Sequence, residues 1–288
     1  MKKADRDDDW SQRRIQSIEV GFQVIRAMEA ADGPLPLRDV AATAGMPPSK
    51  VHLYLVSFIR EGLVRQDPHT GHYGLGSFAI QLGHSAIRQL DIVGLSRDEL
   101  VSLQEATGFA TYLSVWGNRG PGIVSKVDGQ RQGSLTVRLG YVLPLYASAT
   151  GRIFLAYLNR SETEQLLTEE LNAIRAGDET WPGAADLPED PEAIDEQMQA
   201  IREQGYAISR NNINANFAAM AAPVFDHTGR IVASITVLGS EKALSGARAK
   251  SISKLLLEST GRLSERMGNS PREGQKGDGQ KGDKRPVS

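Results

Sequence analysis

"PLRDVAATAGMPPSKVHLYLVSFIREGLVRQDPHTGHYGLG", Pro36 to Gly76, decides the fold of the N-terminal part of the chain. Arg38 to Ala44 fits a short helix, with Leu37, Val40, Ala41 and Ala44 turned inward and Gly45 stopping it. After the turn, Pro47 and Pro48 suit a helix N-terminus, where a missing N–H costs nothing. Val51, Leu55, Phe58 and Ile59 give that helix its buried face. Leu63-Val64-Arg65 and Tyr73-Gly74-Leu75 flank the turn formers Asp67-Pro68-His69-Thr70-Gly71, and together they read as a β-hairpin. Upstream, Ile18, Phe22, Ile25 and Met28 step by three and four, and predict a further helix closed by Asp32-Gly33-Pro34. Helix, helix, short Gly-containing turn, helix, hairpin is the outline of a winged helix-turn-helix. A small helical bundle with a β excursion and no ligand has the same outline.

Working outward, residues 1–14 are charged and aperiodic and read as a disordered arm. The winged helix-turn-helix spans 15–76. A linker helix follows over 77–91, with Phe78, Leu82, Ala86 and Leu90 on one side. A second helix, Ile92 to Thr107, opens a larger domain over 92–267. There the period turns strand-like in "FATYLSVWG", "GIVSKV", "SLTVRLG", "GYAISR", "AAMAAPVF" and "IVASITVLG". Six strands with helices before, between and after predict an α+β domain. A terminal helix is expected over Ser251 to Met267. Residues 268–288 carry the repeat GQKGD-GQKGD and read as a disordered tail.

Composition limits what this architecture can do. The chain has 288 residues, 40% hydrophobic and 24% charged, with formal net charge −2, so a surface for a polyanion must be local. Cysteine is absent, which excludes disulfides, thiolate metal sites and a cysteine nucleophile. No apolar run approaches the roughly 18 residues of a membrane span, and the N-terminus has no apolar core of a secretory signal. A cytoplasmic protein is expected. No G-x-S-x-G, P-loop or H-E-x-x-H occurs, and four of the five histidines lie in the first 84 residues. An enzyme is therefore the weaker reading, with no cofactor and no metal expected. A small-molecule-binding protein without DNA binding is the other rival.

With Val51, Leu55 and Phe58 inward, the opposite face of the third helix carries Ser49, Lys50, Leu53, Ser57 and Arg60, flanked by His52 and Tyr54. Lys50 can reach a guanine edge or a phosphate, Ser49 a phosphate or a base. Leu53 can make only an apolar contact, for example with a thymine methyl. Arg38 joins this set, and on the hairpin Arg65, His69, Thr70 and His72 are the candidates. Each alone is equally well a solvated surface residue. Two copies on a two-fold operator double the phosphate contacts, so a homodimer or homotetramer is expected.

"SIEVGFQVIRAM" with the stretch above resembles the N-terminal domain of the IclR-type bacterial transcriptional regulators. "VLPLYASATGRIFLAYL" and "GYAISRNNINANFAAMAAPVFDHTGRIVASITVLG" resemble their C-terminal domain. The resemblance runs from about Ile15 to Met267. It implies a winged helix-turn-helix, a linker helix and a GAF/PAS-like effector domain, here with a six-stranded antiparallel sheet. It also implies a repressor or activator that binds an operator in double-stranded DNA under control of a small organic acid. The hairpin is then a wing. A basic residue is common in the family where Leu53 stands, which implies an altered operator. Members that sense small keto acids carry polar residues at the positions of Ser209, Ala219, Thr236 and Leu238. Here Ala219 and Leu238 are apolar, which implies a larger or more apolar effector, an aromatic or aliphatic acid.

The residues add their own candidates. Ser148 or Thr150 can cap the helix that begins in "ASATGR", leaving backbone N–H groups for a carboxylate, with Ala149 beside them and Gly151 permitting close approach. A plain cap with tight packing explains the same pattern. Arg210 can pair with an acid or lie on the surface. Leu145 and Phe217 read as core or pocket wall.

Overall fold

The computed structural model describes residues 15–130, 138–176, 191–210 and 216–269, with backbone alone for 86–88 and 191. The expected arm and nearly all of the expected tail lie outside these residues. The chain divides into two units, residues 1–90 and 91–288.

The first unit holds α1 (Gln16–Glu29), α2 (Leu37–Thr43), α3 (Pro48–Arg60), the hairpin β1 (Val64–Gln66) and β2 (Tyr73–Leu75), and α4 (Ser77–Gln89). Val24, Ala27, Met28, Val40, Ala41, Val51, Leu55, Val64 and Tyr73 form its core. The inward face of α1 differs from the expected stripe. Met28 is buried as expected, but Ile18 and Phe22 are about half exposed, and Gly21, Val24 and Ala27 are buried instead. Gly21 explains the offset: a Cβ there would stand 3.1 Å from Phe58 Cζ and 3.3 Å from Tyr54 Cδ1. The helix turns its glycine toward α3 so that the two can close. On α3, Val51 and Leu55 are buried as expected, whereas Ile59 is exposed.

The hairpin pairs Val64 with Leu75, Arg65 with Gly74 and Gln66 with Tyr73. Leu35 adds a bridge to Tyr73, with N–H···O bonds of 2.9 and 2.8 Å in the two directions. Its tip is built by Asp67, whose Oδ1 accepts from the N–H of His69 (2.8 Å) and of Thr70 (2.9 Å). Those bonds hold the Asp67 carboxyl below the usual carboxylate range.

The second unit begins with α5 (Ile92–Thr107), capped by Asp91 and closed by Gly108 in the left-handed region. Then come β3 (Ala110–Gly117), β4 (Gly120–Val127), α6 (Ala149–Tyr157), α7 (Arg160–Arg175), α8 (Pro191–Gln204), β5 (Ala207–Arg210), β6 (Phe217–Phe225), β7 (Ile231–Ser240) and α9 (Gly246–Arg266). Five strands pair antiparallel in the order β4-β3-β7-β6-β5. The expected count of six is therefore corrected to five among the described residues. The expected strand "SLTVRLG" falls largely on 131–137, outside them.

Successive strand residues face opposite sides of a sheet, and β3 shows what covers each side. Thr111 Oγ1 donates to the carbonyl of Leu100 on α5 (2.8 Å), while the hydroxyl of its neighbour Tyr112 meets Thr150 of α6. Helices α5 and α9 lie together on the first face. They are tied by Arg262 Nη2 to Glu99 Oε2 at 2.8 Å and by Ser259 Oγ to the same oxygen at 3.0 Å. On the second face, α6 and α8 pack Ile153, Phe154, Ile194, Met198 and Ile201 with Ala207 and Ala221. No described helix is long and apolar enough to cross a membrane.

Candidate DNA and effector sites

On α3 the outward residues are those the helical spacing selects. Ser49, Lys50, His52, Leu53, Ser57 and Arg60 are exposed, whereas Tyr54 is half-buried against the α1 core. Lys50 and Arg60 make no ion pair among the described residues, and neither does Arg65 on β1. Ser57 turns its hydroxyl back onto the carbonyl of Leu53 (3.1 Å). Arg38, at the start of α2, is exposed and bonds Asp39 at 3.1 Å. His69 is exposed at the hairpin tip. Thr70 and His72 are bound into the tip, Thr70 Oγ1 accepting from the N–H of His72 (3.3 Å). That face of α3 and the hairpin thus carry exposed cations, the side-chain type that contacts backbone phosphates.

In the second unit the sheet register gathers the other candidates. Ser209 lies opposite Ala219, Ala219 opposite Leu238, and Leu238 opposite Ala110. The next row on the same face runs Ala207, Ala221, Thr236, Tyr112. Over it sits the start of α6. Thr150 Oγ1 lies 2.8 Å from Thr236 Oγ1 and 3.4 Å from the Tyr112 hydroxyl. All three side chains are buried. Burial pushes the Tyr112 phenol above its usual range, so it stands here as a neutral hydroxyl.

The helix start differs in detail from the expected open N-terminus. Ser148 caps α6, its Oγ accepting from the N–H of Gly151 (2.8 Å) and donating to the carbonyl of Pro144 (2.6 Å). A carboxylate already occupies the N–H groups just before the helix: Glu170 of α7 accepts from Leu145, from Tyr146 at 3.0 Å and from Ala147 at 3.1 Å. Burial raises the Glu170 carboxyl above its usual range, and these three bonds and the charge of Arg152 oppose the rise. Among the described residues, the N–H groups of Ala149 and Thr150 meet no acceptor. Gly151 is held by space: a Cβ would fall 2.1 Å from the Leu145 carbonyl oxygen and 2.4 Å from that of Pro144.

Ser209 joins this region through a 2.8 Å bond from its Oγ to the carbonyl of Ala147. Arg210 does not, being exposed at the end of β5, and Phe217 lies half-buried opposite Ser240. Leu145 lines a cleft of about 560 Å³ with Arg119, Tyr141, Gln165 and Glu170. Sequence reasoning missed Tyr112, Glu170 and Arg152. Arg152 Nε donates to the Tyr146 carbonyl (2.8 Å) and its guanidinium lies 4.9 Å from the centre of the Tyr146 ring. No group of described residues could hold a metal ion.

Both units match known protein families. The IclR helix-turn-helix domain matches residues 17–68, and the bacterial transcriptional regulator IclR C-terminal domain matches 84–265. The chain is 26% identical over 223 residues to the HTH-type transcriptional regulator XynR of Escherichia coli, covering 77% of this chain and 85% of that protein. It is 27% identical over 258 residues to the HTH-type transcriptional regulator BhcR of Paracoccus denitrificans, covering 90% and 88%. Among solved structures, Pseudomonas aeruginosa HmgR aligns with a TM-score of 0.80 at 32% identity, over 89% of this chain and all of that one.

Proposed function

The chain belongs to the IclR family of bacterial transcriptional regulators, and from this premise we infer which surfaces it uses and what class of effector it senses. It is a DNA-binding transcriptional regulator with a C-terminal effector-binding domain, and it is not an enzyme. Regulators of this family bind operator DNA and are generally oligomeric.

In this reading α3 enters the major groove with Ser49, Lys50, His52, Leu53, Ser57 and Arg60. Arg38, Arg65 and His69 meet backbone phosphates, and Tyr54, Thr70 and His72 hold the reading elements in shape. One observation supports it: Lys50, Arg60 and Arg65 are exposed on α3 and β1 and make no ion pair among the described residues. The working form is a homodimer or homotetramer in the cytoplasm, because paired half-sites multiply phosphate contacts.

The effector is a small organic acid with an aromatic or aliphatic body. Its carboxylate takes the N–H groups of Ala149 and Thr150, which offer the positive end of α6 without a charged side chain. Thr150, Thr236 and Tyr112 supply hydroxyls to the same group. Ala219 and Leu238 leave an apolar surface where a second polar end would otherwise be held, and Ser209, Gly151, Leu145, Arg210 and Phe217 complete the surroundings.

Two measurements test this. A mobility shift with the region upstream of the chain's own gene should give specific, salt-sensitive retardation; its absence in dilute buffer overturns the operator reading. Calorimetric titration should show aromatic acids binding more tightly than pyruvate or glyoxylate. Tight binding of either keto acid overturns the effector class and leaves the operator reading standing.

A further inference from the structure

Leu53 is 69% exposed, more than any other large apolar side chain among the described residues. At about 100° per residue it falls almost diametrically opposite Val51 and Leu55, the two fully buried residues of α3. It therefore stands at the crest of the helix, with Lys50 one turn before it and Arg60 two turns after. Ser49, one turn before, is exposed, but the side chains that follow Leu53 on that crest offer little hydrogen bonding. Ser57 donates its hydroxyl to the Leu53 carbonyl at 3.1 Å, and Val56, 37% exposed, extends the apolar strip. The face thus carries cations at both ends and an exposed apolar side chain at its crest. In the major groove, base edges present hydrogen-bonding groups with one apolar exception, the 5-methyl group of thymine.

We propose that Leu53 is a specificity-determining residue that reads the 5-methyl group of a thymine, so that each operator half-site contains one position where the methyl itself is required. This rests on α3 being the operator-reading helix. It adds that the centre of the site is recognised by exclusion of water rather than by hydrogen bonds. A cytosine or an adenine at that position would leave its exocyclic amino group facing Leu53 with no acceptor.

The test uses the full chain and a fragment from upstream of its own gene that it retards in the mobility shift, with each thymine in a half-site replaced in turn by deoxyuridine, which removes only the methyl. One position per half-site should lower affinity about fourfold, the amount expected for returning one buried methyl to water. In Leu53→Ala the same replacement should change nothing. Because Leu53 is exposed and lies outside the core cluster of this unit, circular dichroism of Leu53→Ala should match the wild type, and its salt dependence should be unchanged. If the wild type binds but no deoxyuridine position matters, or if Leu53→Ala keeps the same sensitivity, the inference is overturned and operator binding stands. If the wild type binds no fragment, the operator reading itself fails.

Discussion

Glu170 shows what one side chain can fix. Its two oxygens accept from three consecutive backbone N–H groups, Leu145, Tyr146 and Ala147, in the segment that feeds Ser148 and the start of α6. All three residues and Glu170 are buried. Glu170→Ala leaves those buried donors without their acceptor, and should cost roughly 3 kcal/mol, seen as a lower urea midpoint. Glu170→Gln keeps one acceptor oxygen and should lose about half as much. Because the cap and Gly151 follow directly, Glu170→Ala should also weaken effector binding in calorimetry. Equal urea midpoints for wild type and Glu170→Ala would refute the role. Sequence held one trace of it: Thr163, Glu170 and Ile174 share the buried face of α7, so a carboxylate lies among core positions. Its partners, 23 to 25 residues upstream, have no periodic signature. Tyr112 was illegible for the same reason, since only the sheet register brings it beside Thr236. Ser148 was legible, because a cap is a bond between residues three apart.

At the scale of elements, local chemistry was readable and packing between elements was not. The hairpin follows from Asp67, whose carboxylate collects the N–H groups of His69 and Thr70, and from Gly71 at a φ of +70°. The turn in "FDHTGR" repeats this, with Asp226 Oδ1 accepting from the N–H groups of Thr228 and Arg230. The bounds of α5 were equally local, set by Asp91 and Gly108. The buried side of α1 was not, because Phe22 could be turned outward only once Gly21 was known to meet Tyr54 and Phe58. The Asp67 turn makes a pH prediction. Its folded carboxyl is lowered from the ordinary value of 3.8, chiefly by the N–H of Thr70 and then of His69. The turn's contribution is therefore fully present above the ordinary value and lost as pH falls through the lowered one. Protection of the Thr70 amide from hydrogen exchange, corrected for intrinsic rate, should hold from neutral pH to about 4 and fall below it. Asp67→Ala should show the low protection at every pH, and a pH-independent wild type would contradict the assignment.

For the whole molecule, the balance of charge decides how binding must behave. Formal net charge is −2, and between Arg13 and Arg88 cations outnumber carboxylates only slightly. Affinity for DNA therefore comes from placement of a few cations rather than from the field of the protein. Each phosphate neutralised releases counterions, and the slope of log K against log salt falls by about 0.9 for each contact. Lys50→Ala and Arg65→Ala should each flatten that slope by about 1 per protomer bound, so a dimer shows a change of about 2. Leu53→Ala should leave the slope unchanged while lowering affinity, since an apolar contact displaces no ions. Arg210→Ala, an exposed cation of the second unit, should alter neither. Mobility shifts over a range of potassium chloride concentrations read all four variants on one fragment. A slope change for Arg210→Ala as large as that for Lys50→Ala would move the duplex off α3 and onto the other unit. Equal slopes for wild type, Lys50→Ala and Arg65→Ala would mean that neither cation meets a phosphate, and the helix-and-wing surface would no longer account for binding.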